Sequence, residues 1–120
     1  MVQNGGRKMV KKESIQKEIA FRAHEIIEEN KGNIRMGELA DAMGYSLKYL
    51  DRCYHNIYGT SMKNTAVNVR MRHAIRLLKM NLTDKIYEEL GYYDQAYFIR
   101  QCKKYTGLTP TQLREADLDF

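Results

Sequence analysis

The sequence lacks what chemistry on a small molecule needs. Its two cysteines, Cys53 and Cys102, sit apart in segments of helical apolar spacing, in no C-x-x-C or other ligand arrangement. That excludes a zinc site and predicts two buried thiols in a reducing, cytoplasmic setting. The three histidines, His24, His55 and His73, have no partnered metal spacing either, so no metal and no cofactor is expected. There is no Ser/His/Asp or Cys/His arrangement, and Asn4-Gly5-Gly6 lacks the Lys-Ser/Thr that a phosphate-cradling loop requires. An enzyme is not expected, nor a small-molecule ligand in this domain. No apolar run approaches the roughly 18 residues of a membrane span, and the basic start lacks the apolar core of a signal peptide. The expectation is a soluble, intracellular protein with no membrane partner.

Positive charge is present, and it is gathered. The 120 residues carry 20 Lys+Arg against 15 Asp+Glu, and 43% hydrophobic content suffices for one modest core. Residues 48–79 hold seven basic side chains (Lys48, Arg52, Lys63, Arg70, Arg72, Arg76, Lys79) against Asp51 alone, and residues 95–114 hold four with no acid. Residues 13–30 reverse the balance, with five acids against Lys17 and Arg22. Solvated faces would scatter such charges; a polyanion-binding surface collects them.

The order along the chain is helical throughout. Residues 1–13 read as a flexible basic arm or linker, and residues 14–118 as the folded domain. Ser14 is expected to cap a first helix whose Ile15, Ile19, Ala23, Ile26 and Ile27 share a stripe, ended by Lys31-Gly32-Asn33. A short helix with Met36, Leu39, Ala40 and Met43 inward stops at Gly44; Ser46 caps the next, which buries Leu47, Leu50, Tyr54 and Ile57. These make a helix-turn-helix over 36–58. A bridge helix follows over 61–80, capped by Ser61, with two apolar stripes (Ala66, Val69, Leu77 and Val67, Met71, Ala74, Leu78), which predicts packing from both sides. A second helix-turn-helix spans 84–106: Thr83 caps a helix burying Ile86 and Leu90, and after Gly91 a helix buries Phe98, Cys102 and Tyr105. Thr109-Pro110-Thr111-Gln112 has the elements of a capping box before a last helix with Leu113 inward.

The two units are a repeat. Residues 39–59 match 86–107 at a spacing of 47, shifting to 48 after one extra residue in the second turn. Gly44 pairs with Gly91, where a positive-φ turn is needed; Leu50 pairs with Phe98, Tyr49 with Tyr97 and Arg52 with Arg100. Spacing from the buried face puts Lys48, Asp51, Arg52 and His55 outward on the first unit's second helix. The counterparts are Ala96, Ile99, Arg100 and Lys103, with Gln95 at the helix start. Arg and Lys suit guanine, Gln suits adenine, and an apolar side chain suits the thymine methyl, so Lys48, Asp51, Arg52, Gln95, Ala96, Ile99 and Arg100 are candidate base-facing residues. Asp51 either accepts from cytosine or orients Arg52, the second being favoured. Lys63, Arg70, Lys103 and Lys104 are candidate phosphate contacts. Arg52 and Arg100 pairing with acids on neighbouring helices is the competing expectation.

These residues resemble the DNA-binding domain of the AraC/XylS family of bacterial transcription regulators. The resemblance runs over about residues 15–114. Its most specific part, GYYDQAYFIRQCKKYTGLTP from Gly91 followed by Leu113-Arg114, is similar to the family's G-F-x-D-x-S-Y-F-x-R-x-F-K-K-x-x-G-x-T-P-x-x-Y-R signature. It implies an all-α, seven-helix domain whose two helix-turn-helix units enter successive major grooves of double-stranded DNA. It also implies transcription regulation, commonly activation through contact with RNA polymerase. By motif position the same seven residues inherit the base-facing role. Departures are Cys102 for Phe, Ala96 for Ser, Thr65 for an aromatic, Asn68 for a frequent Arg, and Tyr54-His55 for Phe-Lys. The last removes a cation from the first reading helix, which is therefore expected to bind the more weakly.

The chain is expected to be the reader of a longer regulator with an N-terminal sensor or receiver domain. From another class, the helices are alternatively a protein-interaction module docking on RNA polymerase or another regulator without specific DNA readout. The bridge adds a mechanical expectation: about 20 helical residues span roughly 30 Å, short of the ~34 Å between successive major grooves. Both units then engage fully only on DNA bent toward the protein.

Overall fold

The structure, a computed structural model, describes the backbone of residues 2–116 and the side chains of residues 11–116. Within these bounds the chain forms seven helices and no strand: α1 (Val2–Glu29), α2 (Met36–Met43), α3 (Leu47–Tyr58), α4 (Met62–Lys79), α5 (Thr83–Leu90), α6 (Gln95–Thr106) and α7 (Pro110–Glu115). The all-α, seven-helix expectation holds.

Local chemistry accounts for most of the boundaries. Ser46 Oγ accepts the Tyr49 N–H at 3.2 Å and Ser61 Oγ the Asn64 N–H at 3.0 Å, so each hydroxyl satisfies one of the orphan donors of a helix start. Thr109 and Gln112 form the full capping box, with bonds of 3.2 and 2.9 Å around Pro110. Two expected starts fail. α1 begins at Val2, so Ser14 lies within a helix and caps nothing. No proline precedes it, and two glycines cost only about 1 kcal/mol each among good helix formers. The side chains of the expected basic arm up to residue 10 lie outside the described residues. Thr83 is the first helical residue of α5 rather than its cap, which is Leu82 with no side-chain bond. The end of α4 consumes the turn: Asn81 is left-handed, with φ 60°, and Leu82 N–H returns to the Leu77 carbonyl at 2.9 Å.

Two cores result. The first gathers Ile19, Ala20, Ala23, Ile26 and Ile27 of α1, Leu39 and Ala40 of α2, Leu50, Cys53 and Tyr54 of α3, and Met62, Ala66 and Val69 of α4. The second gathers Met71, Ala74, Ile75 and Leu78 of α4 with Ile86, Leu90, Tyr92, Phe98, Cys102 and Leu113. The bridge is therefore packed by one unit after the other along its length, not on both sides throughout. From Val69 to Met71 the helix turns about 200°, and its buried side passes to the opposite face. Ile75 and Met62 are buried outside the expected stripes, whereas Leu77 is only partly buried.

Leu47 and Tyr105, expected inward, are each 37% exposed. Leu47 opens the first turn of α3, ahead of the buried set Leu50, Cys53 and Tyr54, while Tyr105 lies in the last turn of α6, past Phe98 and Cys102. Ile15 is exposed because the α1 residues in contact with the core begin at Ile19.

His73 supplies a test of the junction. Burial holds its imidazole below the ordinary 6.5, with Arg76, Lys31 and Arg72 pushing the same way and Glu28 opposing. A group whose folded value is depressed favours the fold above its unfolded value and loses that contribution as pH falls through the folded one. Denaturant midpoints should therefore fall between about pH 7.5 and about pH 5, with a smaller fall in His73→Gln. An identical fall in the variant would assign the loss to other groups.

Candidate nucleic-acid interface

In the first unit the Gly44 turn, at φ 75°, launches α3 from the Ser46 cap. The buried side of α3 is Leu50, Cys53 and Tyr54, which leaves Lys48, Arg52 and His55 exposed. They border an open cavity of about 420 Å³ with Asp51, Asn56 and Ser61. Asp51 is half-buried, and its Oδ1 is enclosed without a hydrogen-bond partner among the described residues. The Asp51–Arg52 pairing favoured from the sequence is absent from the ion pairs of those residues.

The second unit repeats the arrangement with different side chains. Asp94 caps α6 by accepting the Tyr97 N–H at 2.7 Å. Phe98 and Cys102 hold the helix to its core, and Gln95, Ala96, Ile99, Arg100, Lys103 and Lys104 are exposed. Gln95 and Ile99 also border a cleft of about 500 Å³ against Thr83 of α5 and Thr109, Thr111 and Arg114 around α7, so they form the inner edge of the exposed face of α6 rather than its crest. Lys104 lies over the Tyr105 ring at 5.3 Å.

Ion pairing separates the cations. Arg22 meets Glu25 and Glu29, Arg72 meets Glu28, and Lys31 and Lys85 meet Glu89, whose carboxyl those lysines hold below its ordinary value. Lys48, Arg52, Lys63, Arg100 and Lys103 are exposed and make no ion pair among the described residues. The competing expectation, acids on neighbouring helices pairing Arg52 and Arg100, is thus not met. Arg70 is the exception among the expected phosphate contacts. Its Nε donates to the Leu90 carbonyl at 2.6 Å, its Nη2 to the Gly91 carbonyl, and its guanidinium stacks on Tyr92 at 4.3 Å. It is spent inside the protein.

A model of the family described as a helix-turn-helix domain, of AraC type, matches residues 39–116. The chain belongs to this family. Among relatives of this AraC-type domain, the uncharacterized HTH-type transcriptional regulator YisR of Bacillus subtilis is 29% identical over 106 residues, which is 85% of this chain and 37% of that protein. The uncharacterized transcriptional regulatory protein YesN of the same organism is 34% identical over 70 residues, 55% of this chain and 19% of that one. The chain thus spans well under half the length of either. The C-terminal domain of AraT, a response regulator from Geobacillus stearothermophilus, superposes with a TM-score of 0.74 at 28% identity, covering 85% of this chain and 88% of that one. The AraC-type domain is a DNA-binding, transcription-regulating one.

One feature of the interface, the Asp94 cap, is absent from the sequence expectations. The Asp94 cap was detectable, because Asp94 and Tyr97 repeat the Ser46 and Tyr49 spacing of the first unit. The extra residue of the second turn is Tyr93, which is 89% exposed beside the start of α6. Removing the cap should cost about 1 kcal/mol and unsettle the first turn that carries Gln95 and Ala96. Chemical denaturation of Asp94→Ala against Asp94→Ser is the check, with the serine variant expected to recover most of the loss.

Proposed function

We propose that this domain reads double-stranded DNA sequence-specifically, with α3 and α6 in successive major grooves of one face. The observation that carries the reading is the division of the cations. The cations of the two reading helices have no acidic partner within the described residues, whereas Arg22, Lys31, Arg72 and Lys85 are paired with acids within the fold. A protein-docking module would have no need of two unpaired basic faces repeated at the same position of two helix-turn-helix units. Lys48, Arg52, Gln95, Ala96, Ile99 and Arg100 are the base-facing set. Asp51 belongs to the same set by its place on α3, as an acceptor for a cytosine amino group, although its enclosed Oδ1 is closed to solvent and does not itself face the groove. Lys63, Lys103 and Lys104 hold phosphates; Arg70 drops out of that role. Since the match covers only 37% of YisR, and the AraT domain it resembles is a response regulator's C-terminal part, we propose that such a domain reads DNA on behalf of a sensor or receiver unit.

The bridge is shorter than the sequence suggested. The 18 residues of α4 span about 27 Å against ~34 Å between grooves, so the bound duplex bends toward the protein or the weaker first unit docks incompletely. Straight DNA with both helices fully inserted would contradict this.

Gel-shift titration over salt tests the reading: affinity for random duplex should fall steeply as salt rises. Arg100→Ala should cost roughly 1 to 3 kcal/mol and relax preference at one base pair, whereas Lys104→Ala should weaken all sequences alike. Salt-independent binding, or equal losses on cognate and random DNA for both variants, would count against it.

A further inference from the structure

Arg70 stands where the two cores change over, between Val69 of the first and Met71 of the second. Its guanidinium donates to the carbonyls of Leu90 and Gly91 and lies over the Tyr92 ring, all three at the end of α5 and the turn that launches α6. Carbonyls at a helix end carry partial negative charge and lack intrahelical donors, so a forked cation there is both a cap and a tie. Tyr92 is 4% exposed, which keeps the stacking partner fixed and partly out of water.

The first unit closes on the same point from the other side. Gly32, in the turn after α1, packs so tightly on α4 that an added Cβ would lie 2.2 Å from the Ala66 carbonyl oxygen and 2.6 Å from the Arg70 nitrogen. Gly91 meets the side chain of Asn33 in the same way, at 2.8 Å. Lys31 and Glu89 bridge the outside at 3.3 Å, but an exposed pair of this kind contributes little. Between the units themselves lie the Gly91–Asn33 approach and the exposed Lys31–Glu89 pair, while Gly32 seats the first unit on α4 and Arg70 ties the turn before α6 to the same helix.

We infer that Arg70 is a positioning residue for two-site DNA recognition: it locks the turn before α6 to the bridge and so fixes the separation and rotation of α6 relative to α3. This rests on the reading that both helices engage one duplex. A rigid link raises the effective concentration of the second reader at its half-site only for one spacing, and a loosened link gives up both the gain and the selectivity for that spacing.

The experiment uses the 120-residue chain and its Arg70→Met and Arg70→Lys variants. The probes are duplexes recovered from a random library, offered at the preferred half-site spacing, with two base pairs inserted, and with one half-site scrambled. Arg70→Met should lose on the order of tenfold on the preferred duplex, stay within about twofold on the scrambled one, and suffer less than the wild type from the insertion. Arg70→Lys, which keeps charge but cannot fork to both carbonyls, should fall between. A uniform loss on all three duplexes, or an unchanged insertion penalty, overturns the inference. If circular dichroism shows Arg70→Met unfolded, Arg70→Lys decides by the same criteria. Unfolding of both would make Arg70 a fold determinant and end the proposal. If the wild type itself does not distinguish paired from single half-sites, the two-helix reading is what fails, and this inference falls with it.

Discussion

Each helix-turn-helix pair in this chain is too small to bury its own apolar face, and α4 is the surface both are built on. Met62, Ala66 and Val69 complete the first core, and Met71, Ala74, Ile75 and Leu78 complete the second. Burying a large apolar side chain is worth roughly 1.5 to 3 kcal/mol, so the bridge residues supply a sizeable share of what holds either unit together. Because both cores draw on one continuous helix, the poses of α3 and α6 are referred to a single rod. The face change at Arg70 sets the two units on opposite sides of that rod.

The departures from the family pattern make sense against this packing. Tyr54, where the pattern has Phe, is 1% exposed, and burial raises its phenol above the ordinary value. Its hydroxyl donates to Thr65 Oγ1 at 2.9 Å and lies 2.9 Å from His24 Nδ1. Thr65 replaces an aromatic at that place, so one substitution provides the acceptor that the other requires, as a buried hydroxyl demands. The result is a polar link from α1 through α3 to α4 inside the first core. Cys102, where the pattern has Phe, sits in the second core with its thiol 3.9 Å from the Met71 sulfur, and burial pushes that thiol up to about 12. It behaves as a small apolar filler, as its helical spacing suggested.

What could be read from the residues was whatever periodicity and local chemistry encode. The glycine stops, the Ser46, Ser61 and Thr109 caps and the inward Leu39, Leu50, Ile86, Leu90, Phe98 and Leu113 all follow from spacing or from one side chain and its nearest backbone. So do the outward Lys48, Arg52, Ala96 and Arg100, each fixed by its distance along a helix from a buried neighbour. The failures share a different cause. Arg70 looked like any outward cation because its partners, Leu90 and Gly91, lie some twenty residues away and act through carbonyls that have no identity in the sequence. Likewise the exchange of buried faces along α4 depends on where two separate units dock, and the missing Thr83 cap depends on how the α4 end closes over Leu82.

We propose that one chain presents two readers at a fixed spacing. Selection of bound sites from a random duplex library tests it most directly. A bipartite motif is expected, its halves about one helical turn, roughly 10 base pairs, apart, with the stronger information in the half read by α6. Recovery of a single contiguous half-site, or of two halves at freely varying separation, would contradict it.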